Sequence, residues 1–118
     1  MERRDPELLR QRTKRFALDT IRLVQRLPWK PETQVIGRQL LRSSTSVGAN
    51  YRAACRGRSR AEFIAKLGIV VEEADETVYW LELLTESGLA QNDVATRLLK
   101  ESRELAAIFT ASRYTATH

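Results

Sequence analysis

The residues best suited to metal chemistry are four carboxylates in one short segment, Glu72, Glu73, Asp75 and Glu76. Glu73 and Glu76 have the three-residue spacing that places two ligands on one helix face in di-metal bundles. Those proteins combine glutamate with histidine, whereas the only histidine here is His118, the last residue. We therefore expect no metal site. The cluster is interpreted as a salt-bridge face for arginines such as Arg42 or Arg52, within one chain or between subunits.

A covalent mechanism would have to use Cys55, the only cysteine of the chain. A cysteine nucleophile is usually paired with a base such as histidine, and no internal histidine is present. Cys55 lies on a small, apolar helix face, which favours a packing role. The sequence also lacks a glycine-rich phosphate loop and zinc-type cysteine spacing. We expect no catalytic residue, no metal and no cofactor, and hence a protein that is not an enzyme.

Arginine is the more abundant chemical group. Four arginines fall between residues 52 and 60, and further cations lie in the first quarter of the chain. The planar guanidinium donates two hydrogen bonds to one phosphate. No helix-turn-helix spacing or aromatic stacking platform is visible, so we expect binding of RNA or DNA through the backbone, with strong salt dependence. The predicted nucleic-acid-binding residues are Arg10, Lys14, Arg15, Arg22, Arg52, Arg56, Arg58 and Arg60.

The two halves of the chain carry opposite charge. Residues 1–60 hold 15 Lys and Arg against 5 Asp and Glu, whereas residues 61–118 hold 5 against 10. Two interpretations stay open. The halves neutralise one another across packed helices or subunits, or the basic half presents a free surface to phosphates.

Apolar spacing predicts four helices that must position these groups. Their expected bounds are 6–27, 32–56, 60–86 and 92–112. Asp5, Ser59 and either Asn92 or Asp93 have the residue types and positions of N-caps, and Pro28 disfavours helix at Leu27. Because the connections are short, neighbouring helices should pack antiparallel. We predict one all-α domain over residues 1–118, an antiparallel up-down-up-down four-helix bundle whose fourth helix frays from Ser112.

Two features of this bundle concern its surfaces. The run Ser43–Ser46 has weak helix propensity, but the small residues that continue to Gly48 would let a neighbouring backbone approach closely. Tyr79, Trp80 and Leu83 are bulky and lie off the apolar seam of the third helix. They need a second partner, either the fourth helix or another subunit, so we assign them as a candidate oligomer interface.

The expected location is the cytoplasm. The segment from Met1 to Arg12 is charged and lacks the apolar run of a signal peptide. No segment approaches the ~18 apolar residues of a membrane span. We expect no membrane partner.

Several stretches resemble a bacterial family of four-helix-bundle proteins, first known as products of reading frames in intervening sequences of 23S rRNA genes. The resemblance rests on the run from Arg42 to Ala54, on Ser59–Phe63 with Lys66, and on Glu73–Thr77 with Tyr79–Leu81. It covers roughly residues 10–112. The carried-over packing and polar-network positions are Ser44, Gly48, Asn50, Arg52, Glu73 and Glu76. A buried Asn50 would need a hydrogen-bonding partner, and Glu73 or Glu76 are the candidates.

The resemblance also implies partners. Members tend to form homopentamers, and a similar protein, the accessory variability determinant of diversity-generating retroelements, associates with a reverse transcriptase and nucleic acid. No catalytic residues are assigned to the family. The leading hypothesis is a non-enzymatic oligomeric bundle that binds nucleic acid. The alternative is a protein-interaction scaffold or accessory subunit that docks a partner such as a reverse transcriptase.

Overall fold

The computed structural model describes residues 5–118, so residues 1–4 of the predicted 1–118 domain lie outside the described part. Within residues 5–118 the chain forms four helices and no strand. The helices are α1 (Pro6–Gln25), α2 (Pro31–Cys55), α3 (Arg60–Glu86) and α4 (Asp93–Thr117). The prediction of an all-α fold is confirmed.

The predicted N-caps begin three of the helices. The side chains of Asp5, Ser59 and Asn92 accept hydrogen bonds from the backbone N–H groups of Glu7, Glu62 and Ala95. Each bond satisfies one of the amides that a helix start leaves without an intrahelical partner. The start of α2 uses buried Thr33, whose hydroxyl accepts from the Lys30 N–H and lies 2.5 Å from the Pro28 carbonyl.

Contacts between helices show the antiparallel up-down-up-down order. Gly48 lies against Thr13 and Gly37 against Val24, so α1 and α2 run in opposite directions. Arg42 of α2 reaches Glu73 of α3. The Arg60 guanidinium at the start of α3 donates to the Ala116 carbonyl at the end of α4. The starts of α1 and α3 and the ends of α2 and α4 therefore share one end of the bundle.

A continuous apolar core joins all four helices. Its largest fully buried side chains include Phe109, Leu40, Leu67, Leu81, Leu84 and Leu105. The ring of Tyr51 packs on that of Phe109, with centroids 5.0 Å apart. Leu67, Leu81 and Leu84 form the part of this core that α3 contributes, and all three are fully buried.

Helix α4 is longer than predicted. It continues to Thr117 rather than fraying from Ser112. The Arg60 guanidinium of α3 donates to the Ala116 carbonyl and so joins the last turn of α4 to α3. Within α4, the Ser112 hydroxyl donates to the Ile108 carbonyl. A cationic donor on the terminal carbonyls of a helix satisfies acceptors that otherwise lack partners.

Candidate nucleic-acid interface

A cleft of about 790 Å³ opens between α1 and α2, near the bundle end where α1 begins. It is lined by Arg10 and Lys14 of α1, by Arg52 of α2 and by Arg56, the C-cap of α2; we call it the basic cleft. Its lining also includes the small residues Thr13, Ala17, Gly48, Ala49 and Cys55. Half of the eight cations predicted to bind nucleic acid therefore meet in one concave surface.

The spacing along the chain explains why these four cations converge. Arg10 and Lys14 are four residues apart, as are Arg52 and Arg56, so each pair lies on one helix edge about 6 Å apart along the axis. The antiparallel packing of α1 on α2 then brings both edges to the same cleft. A cation row on each wall can approach one phosphate chain from two sides.

Gly48 keeps α1 and α2 close beneath this cleft. A Cβ atom added at Gly48 would lie 3.2 Å from Thr13 Oγ1 and 3.4 Å from Thr13 Cβ. Such contacts are tight enough that a larger side chain would push the helices apart. The close approach predicted from the small residues of the second helix is therefore present.

Three of the four cleft cations are free to meet a ligand. Within residues 5–118, neither Lys14 nor Arg52 nor Arg56 forms an ion pair with a carboxylate, and all three are exposed. Arg10 differs, because its guanidinium Nη2 lies 2.5 Å from Glu7 Oε2. The cleft therefore concentrates positive charge that the described part of the chain leaves largely uncompensated.

The other predicted cations lie elsewhere. Arg15 and Arg22 line a second cleft, of about 380 Å³, that α1 forms with α4. Arg22 there is paired with Asp19 at 3.0 Å. Arg58 is exposed in the connection between α2 and α3, and Arg60 holds the end of α4. The eight residues do not form one continuous surface.

Cys55 lies partly buried beside the basic cleft. Tyr51, one helical turn earlier, is buried against Phe109. Burial raises the pKa of Tyr51, and the hydrogen bond with Cys55 acts in the same direction, so its hydroxyl stays neutral near pH 7. Tyr51 therefore supplies no base that would activate the thiol.

The acidic cluster of α3 meets Arg42, as predicted from the sequence. Arg42 Nη1 lies 3.2 Å from Glu73 Oε2, and Arg42 Nη2 also pairs with Glu76. The Trp80 indole N–H donates to Glu76 Oε2 at 2.9 Å. This bond, followed by the contact with Arg42, lowers the pKa of Glu76 despite the opposing effect of burial. The prediction had not anticipated Trp80 as a partner of this carboxylate.

Asn50 is not joined to Glu73 or Glu76. Its amide donates to the Ser46 carbonyl and to Ser46 Oγ, 3.0 and 2.7 Å away, one turn back along α2. The side chain is only partly buried, so a partner on its own helix is sufficient. The expected interhelical network instead consists of Arg42, Glu73, Glu76 and Trp80.

The candidate oligomer interface on α3 combines one exposed residue with two half-buried residues. Tyr79 is 52% exposed, and its ring meets that of Trp80 edge-on at 5.0 Å. Trp80 and Leu83 are half-buried, and Trp80 packs partly against the core. We call these three residues the α3 patch. The intramolecular neighbours of Tyr79 cover about half of it.

Two further sets of polar contacts were not predicted from the sequence. Glu7 and Gln11 line the basic cleft, and their only sequence signal is three- and four-residue spacing around Arg10. Arg12 Nε and Nη2 bind both carboxylate oxygens of Glu101, at 2.7 and 2.6 Å, and so join α1 to α4. These two hydrogen bonds raise the pKa of Arg12, so the link keeps its charge.

The described residues also bear on two other kinds of site. Across residues 5–118, no cluster of three or more His, Cys, Asp or Glu side chains could hold a metal ion. None of the four helices has the length and apolar character needed to cross a membrane.

Residues 5–118 form a small four-helix bundle with a basic cleft between α1 and α2. Residues 8–111 match the family described as 23S rRNA-intervening sequence protein, and the chain belongs to that family. It is similar to a protein of unknown function from the S23 ribosomal protein family of Bacteroides thetaiotaomicron, known from a crystal structure. The two share 35% identity, with a TM-score of 0.80 over 88% of this chain and 96% of that one. No curated protein matches this chain.

Proposed function

We propose that this protein is a non-enzymatic, cytoplasmic nucleic-acid-binding protein that holds the phosphate backbone of RNA or DNA in the basic cleft. The observation that carries the proposal is the convergence of Arg10, Lys14, Arg52 and Arg56 on one groove between two helices. Three of these cations have no carboxylate partner among the described residues. Neutralisation by the acidic half of the same subunit therefore does not account for these three cations.

The cleft favours backbone binding over base recognition. Among residues 5–118, no aromatic side chain on which a base could stack lines the cleft. Arginine and lysine on both walls can neutralise phosphates of any sequence, and this releases counterions.

The test compares two double variants of equal charge. Arg52→Gln/Arg56→Gln removes the α2 wall of the basic cleft, whereas Arg97→Gln/Lys100→Gln removes two cations of α4 outside it. The cleft variant should bind labelled single-stranded RNA about tenfold more weakly than the wild-type protein. Its slope of log K against log salt should be shallower by roughly 1.4, which corresponds to the loss of two phosphate contacts. Equal losses in both variants would show that only net charge matters, and unchanged affinity of the cleft variant would refute the assignment.

We further propose that copies of the chain assemble through the α3 patch. Tyr79 supports this, because an aromatic ring half exposed beside Trp80 and Leu83 offers apolar area that a second copy can cover. Five copies is the number that the family resemblance implies. Binding of a separate protein partner, such as a reverse transcriptase, is the competing use of the same surface.

A further inference from the structure

One cation of the basic cleft already holds an anion from its own helix. Arg10 Nη2 donates to Glu7 Oε2 at 2.5 Å, and Gln11 Nε2 donates to Glu7 Oε1 at 3.2 Å. Each oxygen of the carboxylate thus has its own side-chain donor, and all three residues line the cleft. Two donors on two oxygens of one anion is also how side chains hold a phosphate group.

We propose that Arg10 and Gln11 form a phosphate subsite of the basic cleft, and that the Glu7 carboxylate occupies this subsite in the free protein. The inference rests on the proposed nucleic-acid binding and identifies the competitor at that same site. A backbone phosphate that uses the same donors, Arg10 Nη2 and Gln11 Nε2, must displace Glu7. Glu7 therefore sets the affinity of the cleft, and its removal should strengthen binding.

Displacement of Glu7 requires no movement of the backbone. Its side chain is 58% exposed in the first turn of α1, so the carboxylate can swing into water by a change of rotamer. The positive end of the α1 dipole still favours its charge there. Arg10, whose side chain is 34% exposed, then faces the cleft with Lys14 one turn further along the same wall.

Glu7 competes throughout the neutral range. The hydrogen bond from Arg10 is the largest influence that lowers the pKa of Glu7, followed by the charge of Arg10. A carboxyl group with a lowered pKa is ionised at all pH values above its ordinary value of 4.5. The competitor is therefore not released by protonation near pH 7, and only a stronger anion displaces it.

The structure supplies a matched control for this proposal. Asp19 and Arg22 form another ion pair on α1 with the same three-residue spacing, at 3.0 Å, but outside the basic cleft. If both pairs are ordinary surface ion pairs, Glu7→Gln and Asp19→Asn should change the affinity for RNA equally, since each raises the net charge by one unit. If Glu7 fills a phosphate subsite, only its replacement should improve binding markedly.

The experiment measures binding of labelled oligouridylate to the wild-type protein and both variants by fluorescence anisotropy across a potassium chloride series. Glu7→Gln should bind about fivefold more tightly than Asp19→Asn at low salt, with a slope steeper by about 0.7, one additional phosphate contact. Adding Arg10→Gln should abolish this gain.

The outcomes separate the two proposals. Equal affinities for Glu7→Gln and Asp19→Asn, while Arg52→Gln/Arg56→Gln still weakens binding, would overturn the subsite and leave the proposed function standing. A gain that survives Arg10→Gln would also overturn the subsite. If the wild-type protein does not bind oligouridylate and Glu7→Gln does not restore binding, both proposals are wrong.

Discussion

The hydroxyl groups of Ser43 on α2 and Thr77 on α3 lie 2.9 Å apart in the buried contact between their helices. Ser43 is fully buried and Thr77 is 1% exposed. Thr77 Oγ1 also lies 2.8 Å from the Glu73 carbonyl oxygen. The Thr77 hydroxyl therefore has two acceptors within reach, this carbonyl and Ser43 Oγ. Ser43 directly follows Arg42 on α2, and Thr77 lies one turn after Glu73 on α3. The contact therefore holds the two helices together beside the Arg42–Glu73 ion pair.

Replacement of Ser43 tests how much this interhelical hydrogen bond contributes to the free energy of unfolding. Ser43→Ala loses an interhelical hydrogen bond, whereas Thr96→Ala, at an exposed position on α4, loses only a bond to its own helix. Both substitutions gain helix propensity by similar amounts, so the two variants can be compared directly. The free energy of unfolding, measured by urea denaturation, should be about 1 kcal/mol lower for Ser43→Ala than for Thr96→Ala. Ser43→Leu should cost about 1–3 kcal/mol because the contact has no room for it. Equal stability of all three variants would contradict this packing.

Gly48 offers a second test of close packing, at the base of the basic cleft. Gly48→Leu should destabilise the bundle by about 1–3 kcal/mol, because its side chain would meet Thr13 across the α1–α2 contact. Gly68→Leu is the matched control, since the atoms nearest to a Cβ there belong to the flexible Arg113 side chain. Gly68→Leu should therefore be at least as stable as the wild-type protein in urea, because leucine also has the higher helix propensity. A Gly48→Leu variant as stable as the control would show that α1 and α2 are not held by this contact.

The bond between Trp80 and Glu76 predicts an acid transition. Because the pKa of Glu76 is lowered in the folded state, the stability that this carboxylate contributes is present above its ordinary value of 4.5 and is lost as the pH falls through the lower folded value. In a Trp29→Phe background Trp80 is the only tryptophan. Its fluorescence should change with a midpoint below pH 4.5, and Glu76→Gln should remove the change. A midpoint at or above that value would argue against the bond.

Assembly through the α3 patch predicts a concentration-dependent mass. Light scattering should give a species near five times the 13.5 kDa chain, and Tyr79→Ala should shift it toward the monomer. Tyr114→Ala is a suitable control, because Tyr114 is 64% exposed on α4. If Tyr79→Ala stays oligomeric but loses thermal stability, the ring belongs to the packing of its own subunit.

Local signals predicted much of the fold. Asp5, Ser59 and Asn92 cap their helices because a side-chain acceptor at that position needs only the next few amides. The close approach at Gly48 and the pairing of Arg42 with the acidic cluster were also predicted. Both depend on residue size or charge at helical spacing.

The remaining features depend on tertiary placement. Arg60 was grouped with the phosphate-binding arginines because it falls in the arginine-rich run 52–60. Its contact with the Ala116 carbonyl was not predicted, since the fourth helix was expected to end at 112. Asn50 was given an interhelical partner, but Ser46 on its own helix satisfies it. The basic cleft itself arises from the packing of α1 on α2. Helical spacing places Arg10 and Lys14 on a different face of α1 from Arg15 and Arg22. The packing decides that the first face meets α2 and the second meets α4.

The most direct test of the central claim is the salt dependence of RNA binding by the purified, nuclease-treated wild-type protein, compared with Arg52→Gln/Arg56→Gln. Binding through the basic cleft predicts that log K falls linearly with log salt, and that the variant has lower affinity and a shallower slope by roughly 1.4. No binding by the wild-type protein at low salt, or identical slopes for the two proteins, would contradict the account.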